Sequence, residues 1–112
     1  MTYEEVLTAL ADPTRRGILE DLRGKSRTVS EIATGQTVSR PAVSQHLKVL
    51  ETAGLVEVEA RGTRRYYSIK QDGLKELRHY LEGFWSDALS AYADEVENQI
   101  GVTDDRADPK NN

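Results

Sequence analysis

A mainly helical fold carrying one small β-hairpin, in the order α-α-α-α-β-β-α, is predicted by three features of the sequence. Apolar residues recur at three- and four-residue steps in four stretches before residue 55 and in one long stretch after residue 73, the period of helices with one buried face. Between them, residues 55–70 are rich in β-branched and aromatic side chains on either side of Arg61-Gly62-Thr63-Arg64, which reads as two strands and a turn. Asp12, Thr28 and Ser39 precede three of the helical stretches, and Gly24 and Gly54 follow two of them, so the helix limits are marked chemically.

The first helix covers residues 3–11, with Val6, Leu7 and Leu10 on one side and Glu4 and Glu5 at the positive end of its dipole. Asp12 as N-cap and Pro13 at the first position start the second, in which Ile18, Leu19 and Leu22 face inward and Gly24 closes the helix. Gly17 inside it costs roughly 1 kcal/mol against Ala and points to a close helix–helix approach. Arg15 and Arg16 are read as solvated or acid-paired, with a phosphate contact as the alternative.

Thr28-Val29-Ser30-Glu31 matches a capping box for a third, short helix ending near Thr34, whose inward side is Val29, Ile32 and Ala33. Gly35-Gln36-Thr37-Val38 then leads directly to Ser39. The stretch SRPAVSQHLKVLETAG at 39–54 is a capped helix: Ser39 accepts from the first turn, Pro41 sits where no N–H is needed, and Gly54 gives a left-handed stop. Val43, Leu47 and Leu50 form its apolar stripe, leaving Pro41, Ser44, Gln45 and Lys48 on the other side. Alone, this is equally an ordinary amphipathic helix. Preceded by a short helix and a Gly-containing turn, it becomes the second helix of a helix-turn-helix, which reads DNA in the major groove.

The hairpin strands are placed at 55–60 and 65–70, with Val56, Val58, Tyr67 and Ile69 toward the core and Gly62 taking the positive φ of the turn. Arg61, Arg64 and Arg65 then lie at its tip, suited to a phosphate backbone or a minor groove, or else simply solvated to block edge aggregation. From Gly73 a long helix runs to about Asn98. Leu74, Leu77, Leu81, Phe84, Ala88, Ala91, Tyr92 and Val96 form its seam, widened by Trp85 and Leu89. That stripe exceeds what a small core needs, so part of it is expected to meet a second copy; a small-molecule pocket lined by Tyr80, Phe84, Trp85 and Tyr92 is the alternative. The last residues, GVTDDRADPKNN at 101–112, have little to bury and are expected to be a disordered tail, leaving 1–100 as one domain.

The net charge of −4 conceals a division. Residues 36–70 hold six Lys/Arg against three Glu, a net +3, while residues 71–112 hold four against ten, a net −6. A local basic face is what nucleic-acid binding requires. There is no long apolar run, and the acidic N-terminus MTYEEVLTAL is unlike a signal peptide, so a cytoplasmic protein with no membrane partner is expected. Without cysteine there are no disulfides, thiolate nucleophiles or thiol metal ligands. Two isolated histidines, no Gly-rich phosphate loop and no His-carboxylate pair give no catalytic residues and imply no cofactor.

ALADPTRRGILEDL at 9–22, SRPAVSQHLKVLETAGLVEVEARGTRRYYSI at 39–69 and the long terminal helix together resemble the winged helix-turn-helix repressors of the ArsR family. The resemblance spans everything but the tail. It implies a bacterial or archaeal homodimer that represses transcription from a near-palindromic double-stranded DNA operator, paired through its first and last helices: Val6, Leu10, Leu77, Leu81, Phe84, Trp85, Ala88, Leu89, Tyr92 and Val96. Carried over by position, residues 39–48 are the major-groove helix and 61–65 the wing. Arg40, Ser44 and Gln45 are then assigned to base edges, since Arg pairs bidentately with guanine and Gln with adenine; Lys48, Arg64 and Arg65 are assigned to phosphates, with Ser39, Pro41, Arg61 and Thr63 completing the surface.

The chain departs from the family's metal sensors. Its third helix is VSEIAT, and the last carries only His79, with Glu82 at i+3, too few ligands for a closed zinc site. No metal is therefore expected, and His46 is read as a boundary side chain bonded to its neighbours. A small-molecule inducer is left open and unidentified. The rival to a DNA-binding repressor is a winged-helix module that binds another protein.

Overall fold

A computed structural model of the chain describes residues 1–100; the tail expected at 101–112 lies outside the described residues. The elements follow the predicted order: α1 (Tyr3–Leu10), α2 (Pro13–Asp21), α3 (Val29–Thr34), α4 (Arg40–Thr52), β1 (Val56–Arg61), β2 (Arg64–Ile69) and α5 (Gln71–Ile100).

The helix starts are written in the sequence. Asp12 Oδ1 accepts from the N–H groups of Thr14 (2.7 Å) and Arg15 (3.3 Å), and Ser39 Oγ accepts from Ala42 N–H at 3.4 Å. Thr28 and Glu31 satisfy each other's amides as predicted. A second such box, Thr2 with Glu5, opens α1; its Thr-x-x-Glu spacing is the same signal and was legible. Gly54, at φ +73°, stops α4, and the Leu55 N–H returns to the Leu50 carbonyl at 2.9 Å, which satisfies a carbonyl the helix would otherwise leave open.

Val6 and Ala9 of α1, Ile18 of α2, Leu22, Ile32 of α3, and Val43, Leu47 and Leu50 of α4 share one core with Ala53, Leu55 and Val56. None exceeds 2% exposure, and no polar or charged residue is buried among them. Leu19, Tyr67, Ile69 and Leu77 pack against its edge.

β1 and β2 pair antiparallel from Val56↔Ile69 to Arg61↔Arg64. The loop is therefore two residues, Gly62-Thr63, shorter than the four-residue turn expected; Gly62 at φ +62° suits the primed turns whose twist matches the strands. A third segment joins this sheet: Arg27 N–H donates to Tyr67 O (2.9 Å) and Tyr67 N–H to Arg27 O (2.7 Å). That bridge has no local signal, because one residue of pairing needs no alternating pattern.

By its internal contacts the chain forms two compact units, Met1–His79 and a second beginning at Tyr80. In the second unit, the described part is helical. Leu81, Phe84, Trp85, Leu89 and Tyr92 are all more than half exposed there, so they add nothing to a core.

Two glycines behave differently from what their positions suggest. A Cβ on Gly17 would meet only the Gln36 side chain, 3.4 Å from its Oε1, so the close helix–helix approach inferred from Gly17 is not what occupies that space. A Cβ on Gly73 would overlap the Ala53 carbonyl oxygen and lie 3.1 Å from the Gly54 carbonyl carbon, and Gly73 N–H donates to Gly54 O at 2.8 Å. The end of α4 and the start of α5 thus touch backbone to backbone. Gly17→Ala is expected to raise stability by about 0.5–1 kcal/mol, the ordinary helix-interior gain. Gly73→Ala is expected to lower it by about 1–3 kcal/mol, because backbone must move. Urea unfolding midpoints of the two variants against wild type test both.

Candidate nucleic-acid interface

Once Val43, Leu47 and Leu50 are buried, helical geometry leaves α4 a polar face. Pro41, Ser44, Gln45 and Lys48 are all exposed on it, and so is the capping Ser39. The five residues assigned to this surface from the sequence are therefore available to a partner. Their side chains are short or hydrogen-bonding at Ser44 and Gln45, the types that reach base edges.

The wing and the helix-turn-helix meet at a cleft of about 420 Å³. Thr28, Val29, Ser30 and Glu31 from the start of α3, Arg40 from the first position of α4, and Thr63, Arg64 and Arg65 from the hairpin line it. Four residues predicted from separate parts of the sequence are thus brought together. Among the described residues, the side chains of Arg40, Arg64 and Arg65 have no hydrogen-bond or ion-pair partner, whereas the Glu31 side chain is engaged by the Thr28 N–H at 2.9 Å. The cleft is a concentration of uncommitted positive charge. Thr28 and Ser30 were not selected from the sequence; the capping box gives their local role but not their position beside the wing.

Two expected contacts lie elsewhere. Arg61 donates through Nε and Nη2 to Glu59 Oε1, at 3.1 and 3.0 Å, and its guanidinium stands 4.5 Å over the Tyr66 ring. It is occupied by its own hairpin rather than free at the tip. Lys48 borders a different groove, with Thr2, Glu4, Glu5, Thr8, Val49, Thr52 and Ala53.

Residues 12–58 match the model of the bacterial regulatory protein, arsR family. The HTH-type transcriptional regulator Rv2034 of Mycobacterium tuberculosis is 50% identical over 91 residues, covering 81% of this chain and 85% of that protein. The transcriptional repressor SdpR of Bacillus subtilis is 34% identical over 79 residues, covering 70% of this chain and 88% of that one. The chain belongs to the arsR family. It is a transcriptional regulator with a winged helix-turn-helix DNA-binding domain, and not an enzyme. Among solved structures it is similar to the homodimeric winged helix-turn-helix DNA-binding domain of Mb0332 from Mycobacterium bovis, a possible ArsR-family regulator, with a TM-score of 0.58, 31% identity, and coverage of 90% of this chain and 86% of that chain.

In this regulator the arginines of α2, Arg15 paired with Asp12 at 3.7 Å and Arg16 exposed, also bond the end of the preceding helix. Arg15 donates to the carbonyls of Ala9 (2.7 Å) and Thr8 (3.1 Å), and Arg16 to those of Leu10 (2.8 Å) and Ala11 (3.2 Å). The last carbonyls of a helix run short of intrahelical donors; here the Ala11 N–H serves Thr8 O at 3.2 Å, and two guanidiniums from the next helix add donors to the end of α1. His46, half-buried, faces Arg15 at 3.4 Å. This agrees with its reading as a boundary residue.

Val6, expected at an interface between copies, is fully buried in the regulator's own core. Val6 and Ala9 stand three residues apart on the inner side of α1, so it is Leu7, 43% exposed, that reaches the surface. Leu10 and Leu77 are also partly taken up by the core; Ala88 is exposed and Val96 half-buried. Phe84, Trp85 and Tyr92 are 60–69% exposed, and Phe84 meets Tyr80 edge to face at 5.2 Å. Among the described residues no group of three or more His, Asp or Glu could hold a metal ion, and no helix is long and apolar enough to cross a membrane.

Desolvation works to raise the Asp12 carboxyl, but the N–H groups of Thr14 and Arg15, then the charge of Arg15, outweigh it and hold the group below its ordinary value. A carboxyl depressed in the folded state stabilises above its unfolded pKa and loses that contribution as pH falls through the folded value. Asp12→Asn keeps the capping oxygen but not the charge. It is expected to melt below wild type at pH 7, with the gap closing below about pH 4; thermal melts from pH 7 to 3 check this.

Proposed function

We propose that this regulator is a homodimeric, sequence-specific repressor that binds a near-palindromic operator, with α4 in the major groove and the wing on the adjacent backbone. The observation that carries the reading is the cleft in which Arg40, Arg64 and Arg65 converge without partners beside the exposed face of α4. Three guanidiniums around one opening suit a phosphate strand, because Arg forks match phosphate oxygens bidentately. Arg40 shares that opening, so we assign it to the backbone rather than to guanine. Sequence reading then falls to Ser44 and Gln45, with Ser39, Pro41 and Thr63 at the edges of the contact.

The repressor role is supported by the similarity to a transcriptional repressor, and the paired state by the similarity to a homodimeric domain. The second unit supplies a surface for pairing: Leu81, Phe84, Trp85, Leu89 and Tyr92 are exposed on one helix, more apolar side chain than a lone protein leaves in water. Two-fold symmetry sets the reading helices about 34 Å apart, which fixes the half-site spacing.

Filter binding on operator and unrelated duplexes over a range of salt separates these roles. Arg40→Ala and Arg64→Ala are each expected to weaken every duplex and to lower the salt slope by about 1. Gln45→Ala is expected to cost about 1–3 kcal/mol on the operator and to relax preference at one position of each half-site. Salt-insensitive binding, alike in wild type and variants, would instead favour a protein-binding module. In sedimentation equilibrium at micromolar concentration, wild type is expected as a dimer and Trp85→Glu as a monomer; a monomeric wild type that still binds operator would defeat the pairing.

A further inference from the structure

The guanidinium of Arg15 reaches three elements at once. Nε and Nη2 hold the Ala9 and Thr8 carbonyls at the end of α1, at 2.7 and 3.1 Å. Nη1 lies 3.4 Å from His46 Nδ1 on α4 and 3.7 Å from Oδ2 of Asp12, the cap of α2. The side chain is only 16% exposed, so it is packed in place. Arginine has no acceptor, so in a hydrogen bond between the two it is His46 Nδ1 that accepts.

His46 stands between exposed Gln45 and fully buried Leu47. Apolar burial fixes how deep α4 sits, but it is non-directional and tolerates a small roll about the helix axis. A charge-assisted, directional bond to a side chain at the boundary does not. A roll of α4 moves Ser44 and Gln45 against any base edge, where readout depends on hydrogen-bond geometry. It matters far less to phosphate contacts, which act largely through charge.

We propose that Arg15 is a positioning residue for the reading helix: by clasping His46 to the end of α1, it sets the rotation at which Ser44 and Gln45 meet the bases. The proposal rests on the DNA-reading function above. It predicts that breaking the clasp costs sequence discrimination and spares general affinity for DNA. Loss of a merely stabilising contact would lower both together, in proportion to the folded fraction.

The test uses the full chain and two probes, a duplex selected by the wild-type protein from a random-sequence library and a scrambled duplex of equal length. The ratio of the two Kd values is measured at one salt concentration for wild type, Arg15→Met, His46→Phe and His46→Asn. The ratio is expected to shrink about three- to tenfold in Arg15→Met and His46→Phe, with affinity for the scrambled duplex unchanged. His46→Asn, whose amide oxygen can replace Nδ1 as acceptor, is expected to retain the wild-type ratio. Should Arg15→Met fail to fold by circular dichroism, His46→Phe decides. A wild-type ratio in His46→Phe, or equal losses on both probes, would overturn the positioning role alone. A wild-type protein that shows no preference for any selected duplex would overturn the DNA-reading function and this inference with it.

Discussion

Burial of Val43, Leu47 and Leu50 is the constraint from which the rest of the first unit follows. Each is fully buried, and each contributes about 1.5–3 kcal/mol relative to exposure, so the helix that carries them cannot turn its apolar side outward. α1, α2, α3 and the start of β1 all send residues into the same core. The orientation of one helix is therefore set by its neighbours together. Its polar face, from Pro41 through Ser44 and Gln45, is exposed because everything opposite is taken.

Charge is partitioned in a way that the net value of −4 hides. Arg15 and Arg16 are consumed by helix-end carbonyls, Arg61 by Glu59 and the Tyr66 ring, and Arg27 leans on Asp21 at 3.5 Å while its backbone extends the sheet. The guanidiniums of Arg40, Arg64 and Arg65, among the described residues, have no such commitment. A guanidinium that already donates to a carbonyl is a poor phosphate ligand, since the bond must be exchanged rather than formed. The difference between the structural arginines and those proposed to bind is thus one of prior commitment, not of residue type.

The second unit follows another logic. Its helix carries large apolar side chains at three- and four-residue steps, and those from Leu81 to Tyr92 are more than half exposed. Surface of that kind gains free energy only by meeting more apolar surface. Leu77, before the second unit begins, packs against the core of the first.

What the sequence by itself determined were the features whose causes lie within a few residues. Asp12, Thr28 and Ser39 start helices because a side-chain oxygen reaches an amide two or three positions on, Gly54 and Gly62 turn the chain because they tolerate positive φ, and the spacing of Val43, Leu47 and Leu50 selects a buried face. The exposed reading face and the wing followed from those. Tertiary structure alone decided which separated groups became neighbours: Arg40 beside Arg64 and Arg65, Arg15 beside His46, Gly73 against Ala53, Arg27 paired with Tyr67, and Val6 turned into the core. An arginine looks the same in sequence whether a distant carbonyl, a carboxylate or nothing faces it. Its partner is set by how the helices pack, and that packing comes from the summed burial of the whole core rather than from any local pattern.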